Sequence, residues 1–426
     1  KLKVKSVENL GVVGWTRLNR SFFGCANMTS FTAGSTDTSA VTDMSVMIRN
    51  CTGLTSLDVS SFNTAAVTNM AYTFQNCRSL TSLDLSNFNT AAVLSMDSMF
   101  DLCGDLTSLN VSGFDTSAVT IMSDMFYECD SLTSLDVSNF NNAAVTDMDY
   151  MFYNCTGLTS LNLTGFTTPS VTIMYGMFYS CTGLTSLDVT SFNTAAVTNM
   201  GLMFRNCRSL TSLDLSNFNT AAVTNMATMF YQCTSLTSLN VSSFDTSAVT
   251  IMSNMFGICT SLTSLNLSNF NTAAVTSMAS MFNASSGLTS LDLSNFNTAS
   301  VTTMKEMFRG STGLTSLDVS NFNTAAVLDM QYMFYQCNSI TSIVGVEDFD
   351  ISGLNGTADL TRFLTVGRMT TAQYNATLIN WDALTVFAGM SPAFGVSTYT
   401  GGGTAATARA NLISSDGWTI SDGGIA

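Results

Sequence analysis

Residues 52–77 read TGLTSLDVSSFNTAAVTNMAYTFQNC, and this stretch returns with small changes every 26 residues. Cysteine marks the end of the repeat at positions Cys25, Cys51, Cys77, Cys103, Cys129, Cys155, Cys181, Cys207, Cys233, Cys259 and Cys337. Ser285 and Ser311 stand at the two positions where the period would place another cysteine. The register is unbroken from residue 26 to residue 337, which is 312 residues or 12 repeats of 26. Such a register predicts a solenoid, in which each repeat forms one coil and packs against its neighbours.

The first part of each repeat has the pattern of a short strand. Leu54, Leu57 and Val59 follow the spacing L-x-x-L-x-[LV]. Leu57 and Val59 are two residues apart and share one face of a strand, so Asp58 points to the opposite face. The sequence therefore predicts one short parallel strand per coil, with its aspartate directed outward.

The last part of each repeat has the spacing of a helix. Met96, Met99, Phe100 and Cys103 lie at i, i+3, i+4 and i+7, which is one face of a helix of about two turns. We therefore expect about 12–13 coils, each with a short parallel strand and a short helix.

This pattern resembles leucine-rich repeats, and more closely the repeats of BspA-type surface proteins, M-x-x-M-F-x-x-C-x-x-L-x-x-L-D-[LV]-S-x-F-[ND]-T. The residues that carry the resemblance in one repeat are Met122, Met125, Phe126, Cys129, Leu132, Leu135, Asp136, Val137, Phe140 and Asn141. The repeats depart from standard leucine-rich repeats at Phe88 and its equivalents, where a turn-forming Asn is usual. The resemblance implies a leucine-rich-repeat-like solenoid with an extracellular binding or adhesion role.

The two ends of the chain differ from the repeats. Residues 1–24 hold a partial repeat and predict an N-terminal cap, and residues 25–343 form the solenoid. The register slips near residue 344, so residues 344–426 are expected to form a separate C-terminal module. The segment GWTISDGG at 417–424 resembles the end of many BspA-type proteins. A solenoid needs capped ends, which makes a cap the simpler interpretation and an anchoring or assembly module the alternative.

Composition excludes several classes of function. The chain carries 14 Lys and Arg, 29 Asp and Glu and no His, for a net charge of −15. So few cations argue against nucleic-acid binding, because phosphates would not be neutralised. Apolar residues come in short bursts, which predicts no membrane insertion by this chain. Without histidine, and with carboxylates placed only as a repeated ladder, the sequence predicts a protein that is not an enzyme and has no cofactor.

The cysteine column allows two interpretations. Its members lie on the apolar face with Met and Phe, so they are expected to pack as buried thiols. Disulfides between adjacent coils are the alternative, although stacked equivalents have parallel Cα–Cβ vectors that suit a disulfide poorly.

The outward strand column is acidic and is a candidate for weak Ca²⁺ binding. Its aspartates are Asp58, Asp84, Asp136, Asp188, Asp214, Asp292 and Asp318. Like charges stacked about 4.8 Å apart repel, so something must offset the repulsion. One interpretation is hydrogen bonding to Ser and Thr with raised pKa values; the other is an array of oxygen ligands for Ca²⁺.

Variation between repeats is concentrated beside the buried Met, Phe and Cys. One column there, immediately after the core Phe, contains Tyr127, Tyr153, Tyr179, Arg205 and Tyr231. Tyr and Arg are enriched at interface hot spots, so this column is the candidate ligand-binding site. The alternative is that these rings only cover the core.

Taken together, the sequence predicts a non-catalytic surface protein for adhesion or receptor binding, whose partner is a protein or a glycan on another surface. Oligomerisation is compatible with such a scaffold. The alternative is a structural or receptor-binding component of a virion or phage tail fibre, located at the virion surface, because rigid capped rods also serve there.

Overall fold

The computed structural model describes residues 3–356, 359–364 and 369–426. The chain is a parallel β-solenoid of about 13 coils of roughly 26 residues, which confirms the predicted fold class. It divides into two compact units, Lys1–Asn219 and Thr220–Ala426, which are described in turn.

The first unit holds the strands β1 to β8. These are β1 (Ser6–Val7), β2 (Ser30–Thr32), β3 (Ser56–Asp58), β4 (Ser82–Asp84), β5 (Ser108–Asn110), β6 (Ser134–Asp136), β7 (Ser160–Asn162) and β8 (Ser212–Asp214). Pairing is parallel and joins equivalent positions of consecutive coils, as in Leu83 with Leu109 and Leu135 with Leu161. A second line of parallel bridges, from Arg17 to Asn199, runs just before the Met of each coil.

The second unit holds the remaining strands and both α-helices of the described residues. These are β9 (Ser238–Asn240), β10 (Ser316–Asp318), β11 (Ser342–Val344), a 3₁₀ turn (Val346–Asp348), α1 (Thr371–Asp382) and α2 (Thr404–Ser414). A capping box between Thr370 and Gln373 starts α1. The buried Tyr374 donates a 2.6 Å hydrogen bond to Asp422, which also pairs with Arg409 at 2.8 Å. The boundaries proposed at residues 24 and 343 stay a prediction.

The predicted helix in each coil is wrong. Residues 70–77 form consecutive turns, in which Thr73 N–H donates to Met70 O and Cys77 N–H donates to Phe74 O, both at 3.3 Å. Alternate N–H groups donate to carbonyl oxygens of the next coil. Met70 N–H donates to Ser95 O at 3.1 Å, and Phe74 N–H donates to Met99 O at 3.0 Å. An α-helix would instead have directed Phe74 N–H to Met70 O within the same coil.

Each of these turns places its third residue in the left-handed region. Tyr72 and Asn76 both have φ of 60°, the requirement of a type II turn. The same holds in the other coils. The first left-handed column contains Arg20, Val46, Ser98, Asp124, Tyr150, Gly176, Leu202, Thr228, Asn254, Ser280, Glu306, Tyr332 and Arg362. The second contains Gly24, Asn50, Leu102, Glu128, Asn154, Ser180, Asn206, Gln232, Ile258, Ala284, Gly310 and Gln336. Asn or Gly just before the cysteine was the sequence signal for this turn, because both residues tolerate positive φ.

Spacing explains why turns replace the helix. Packed helices lie about 8–10 Å apart, whereas paired strands lie about 4.8 Å apart. Turns that donate to the next coil keep the same close spacing as the strands. The core rings follow this spacing in the first unit, with ring centroids of Phe100 and Phe126 at 5.5 Å and those of Phe126 and Phe152 at 5.5 Å.

The cysteines form a ladder of hydrogen-bond donors. All eleven are buried as reduced thiols, and all lie in the described part of the chain. Cys103 Sγ donates to Phe74 O of the preceding coil at 3.2 Å, and burial raises the pKa of Cys103 to about 12, which keeps the proton in place. In the second unit Ser311 Oγ donates to Phe282 O at 2.6 Å, which explains why serine replaces cysteine there.

A buried threonine links consecutive coils at another position. Thr90 Oγ1 donates to Asp115 O at 2.8 Å and accepts from Asp115 N–H at 2.8 Å. Asn142 takes this position in one coil of the first unit. Its side chain is fully buried, and among the described residues neither of its amide atoms has a hydrogen-bond partner.

We expect Asn142→Thr to stabilise the protein by about 1–3 kcal/mol, because it removes an unsatisfied buried amide and restores the link to the next coil. Thermal denaturation would measure the change. The reverse substitution in a complete coil, Thr90→Asn, is the matched control and should lower the melting temperature. Equal melting temperatures for Asn142→Thr and the parent would contradict the assignment of this defect.

The left-handed columns provide a second test at Ile258, a half-buried β-branched residue with φ of 58°. Ile258→Asn should raise stability by about 1 kcal/mol, since Asn adopts this conformation at lower cost. The exposed Gln336 has φ of 60°, and Gln336→Ile should lower stability by a similar amount. A lower melting temperature for Ile258→Asn in thermal denaturation would count against the turn geometry.

Candidate ligand-binding surface

Four of the five predicted binding residues lie together in the first unit. The rings of Tyr127 and Tyr153 stack with centroids 4.3 Å apart, and Tyr179 meets Tyr153 edge-on at 4.9 Å. The guanidinium carbon of Arg205 lies 4.8 Å from the Tyr179 ring centroid. We call these four residues the tyrosine stripe. Tyr231, the fifth predicted residue, belongs to the second unit, where it borders a separate cleft.

A second row of rings widens the tyrosine stripe. Tyr150 meets Tyr153 edge-on at 5.5 Å and Tyr175 at 5.3 Å. Gly176 makes room for this row, because a Cβ atom there would come within 2.6 Å of the Tyr150 ring. Tyr153 and Tyr150 are half-buried. The rings therefore cover part of the core and still present a face to solvent.

An acidic cluster lies beside the tyrosine stripe, and the sequence reasoning missed it. It consists of Asp97, Asp101, Asp124, Asp147 and Asp149. Burial and then the neighbouring Asp149 and Asp101 raise the pKa of Asp124 to about 7. Burial also raises the pKa of Asp101 to about 6, although Gln75 donates a hydrogen bond to it. The sequence signal for this cluster was the presence of these acidic residues in the variable turns of three successive repeats.

The outward aspartates bind their own backbone. Asp58 Oδ1 accepts from Ser60 N–H at 3.0 Å and from Ser60 Oγ at 2.6 Å, and Asp188 forms the same turn with Thr190. These bonds lower the pKa of Asp58 and Asp188, so the expected rise in pKa is wrong. Asn110 accepts from Ser112 N–H at 3.1 Å, which explains why Asn and Asp alternate in this column.

The seven aspartates proposed for Ca²⁺ do not converge. They lie one per coil, and across the described residues no three His, Cys, Asp or Glu side chains come together as a metal site. The turn at Asp58 uses the Oδ1 atom of the carboxylate for both of its contacts with Ser60. Weak Ca²⁺ binding along this ladder stays a prediction.

The buried carboxyl groups of the acidic cluster and the outward carboxyl groups of the strand column together predict that the protein is most stable in mild acid. Since the folded pKa values of Asp101 and Asp124 are raised above the ordinary value of 3.8, the folded protein binds more protons than the unfolded chain between about pH 4 and pH 7. Stability should therefore rise as pH falls through this window. The pKa of Asp58 is lowered, so its contribution is lost as pH falls below 3.8.

Thermal denaturation from pH 8 to pH 3 measures this profile. Asp124→Asn is the control, and it should flatten the rise in stability between about pH 7 and pH 4 while leaving the loss below pH 3.8 in place. A melting temperature that does not change between about pH 7 and pH 4 would contradict the pKa assignments.

The coils, their paired parallel strands and the recurring Leu positions make this a leucine-rich-repeat-like protein. The chain belongs to the family described as "Mycoplasma protein of unknown function, DUF285", which matches residues 16–111, 103–212, 157–264 and 259–362. No curated protein matches the chain.

Similar solved structures include other leucine-rich-repeat proteins. The leucine-rich-repeat protein TpLRR of T. pallidum is 16% identical, with a TM-score of 0.26, over 43% of this chain and 78% of that one. The functional domain of InlJ from Listeria monocytogenes, which includes a cysteine ladder, is 18% identical with a TM-score of 0.22, over 88% and 76%. The mouse RP105/MD-1 complex is 15% identical with a TM-score of 0.26, over 98% and 59%. At these identities the likeness concerns the repeat fold alone.

Across the part of the chain that the structure describes, none of the helices has the length and apolar character needed to cross a membrane.

Proposed function

We propose that this chain is a non-catalytic binding scaffold of a cell surface, which recognises a partner protein through the tyrosine stripe. The stripe carries the proposal, because it is a cluster of half-buried rings on otherwise regular coils. The strand face repeats the same Ser–Leu–Asp or Ser–Leu–Asn triplet in each strand from β3 to β10 and offers little discrimination. Differences between coils, which specific recognition needs, lie on the turn side.

The chemistry of the tyrosine stripe suits a protein interface. Tyrosine offers a large rigid surface at low entropic cost and a hydroxyl for polar contacts. Tyr127 and Tyr153 are already stacked on each other, so little ordering remains when a partner binds. The Arg205 guanidinium over Tyr179 supplies a cation at one end.

The acidic cluster indicates the charge of the partner. Asp101, Asp124 and Asp149 repel one another, and burial raises the pKa of each. A Lys or Arg side chain from a partner would relieve this repulsion and also pack against the neighbouring rings. A basic patch on the partner is therefore the expected complement. The net charge of −15 would speed the encounter with such a surface.

An extracellular location and an adhesive role follow from the resemblance to BspA-type surface proteins. The absence of His from the sequence removes the commonest general base and supports a role other than catalysis. Few cations and a strong negative charge support a partner that is not a nucleic acid.

Replacing Tyr153 and Tyr179 together by Ser tests the proposal. The double variant should bind at least about tenfold more weakly to partners found on an array of surface and extracellular-matrix proteins, because two interface anchors are lost. Its melting temperature should stay within a few degrees of the parent. Tyr335→Ser, which alters the same column in the second unit, is the matched control and should leave this binding unchanged.

Two results would contradict the proposal. Unchanged binding by the double variant would show that the tyrosine stripe is not the interface. Unfolding of the double variant would show that the rings mainly cover the core.

A further inference from the structure

The column that holds the tyrosine stripe is interrupted in the second unit. Large side chains occupy most of its positions, but Gly257 and Asn283 lie between Tyr231 and Arg309. A cleft of about 330 Å³ opens beside these two positions, and its lining includes Tyr231, Asn283 and Arg309. Its size lies at the lower end of the range for small-molecule sites, which is roughly 300–1,000 Å³.

Tyr231 forms one wall of this cleft. A Cβ atom at position 257 would lie 3.0 Å from the Tyr231 ring, so the ring occupies space that a larger residue would take. Glycine at this position therefore leaves room for the Tyr231 ring to take its place in the cleft wall.

The opposite wall is a fixed ion pair. Arg309 Nη1 lies 3.0 Å from Glu306 Oε1, and the guanidinium carbon lies 5.6 Å and 5.5 Å from the ring centroids of Tyr332 and Tyr335. Glu306 Oε2 accepts from Asn283 Nδ2 at 3.1 Å. Both carboxylate oxygens are thus oriented by one bond each, and each keeps acceptor capacity for a ligand. The side chains of Asn254 and Gln336 also line the cleft.

We propose that this cleft binds a single neutral pyranose ring of a glycan. An aromatic wall packs against the C–H face of a sugar, while an oriented carboxylate and side-chain amides accept from and donate to its hydroxyls. An anionic ligand fits less well, because Glu306 already neutralises Arg309. A purely apolar ligand would leave these polar groups unpaired.

This site is independent of the proposed protein interface. It lies in the second unit and uses none of the four residues of the tyrosine stripe. Loss of sugar binding would therefore leave the proposed function standing, and loss of protein binding would leave the cleft standing.

Saturation-transfer NMR of the full chain tests the cleft with methyl pyranosides of glucose, galactose, mannose and N-acetylglucosamine. A single ring should bind with a Kd on the order of 1 mM, so at least one glycoside should receive saturation at its ring protons at concentrations up to about 10 mM. The absence of transfer to all four glycosides would overturn the proposal.

Two variants locate the binding. Gly257→Tyr introduces, against the Tyr231 ring, the residue that this column carries at Tyr127 and Tyr153. Its bulk should displace the Tyr231 ring from the cleft wall and abolish the transfer. Glu306→Gln keeps the size of the wall but removes the charged acceptor, and it should weaken binding about tenfold. Transfer that survives in both variants would overturn the proposal. If Gly257→Tyr fails to fold, Glu306→Gln and Asn283→Ala decide the question.

Discussion

Stacking of identical coils at the spacing of paired β-strands is the constraint on which the rest of the structure depends. Paired strands of consecutive coils lie about 4.8 Å apart, so the opposite side of each coil must also lie at about this distance from the next coil. Consecutive turns achieve this because alternate N–H groups, such as those of Met70 and Phe74, donate to the following coil. The core rings then stack face to face, as Phe100 and Phe126 do at 5.5 Å. The left-handed conformation of two residues per coil is the cost of this arrangement, about 1–2 kcal/mol each for residues other than Gly.

The same constraint determines which columns vary little between coils. A side chain that bonds to the backbone of the adjacent coil must have the right reach and donor, as Thr90 and Cys103 show. Asp58 and Asn110 meet a local requirement instead, because either side chain accepts from the backbone two residues later. The side chains that vary between coils lie outside these two sets of columns. They form the tyrosine stripe and the cleft beside Tyr231.

The sequence predicted the parallel strands and the buried Met, Phe and Cys, because these follow directly from the repeat and the spacing of Leu57 and Val59. It did not predict the backbone of the Met–Phe segment. Spacings of three and four residues place Met96, Met99 and Phe100 on one face in a helix and also in consecutive turns, so apolar pattern alone cannot separate the two. The acidic cluster was missed for a different reason. Asp101, Asp124 and Asp149 are far apart in the chain, and only stacking of coils brings them together.

The cysteine ladder has a consequence for how the solenoid opens. Each thiol is buried. The thiols of Cys51, Cys77 and Cys129 donate to a carbonyl of the preceding coil, as Cys129 does toward Phe100 O at 3.2 Å. Burial also raises the pKa of Cys129 well above the ordinary value, so little reactive thiolate forms while the coils stay together. Alkylation can therefore occur only when two coils separate. The free energy of local opening varies along a repeat array. The order in which the cysteines are alkylated would therefore show which coils open most readily.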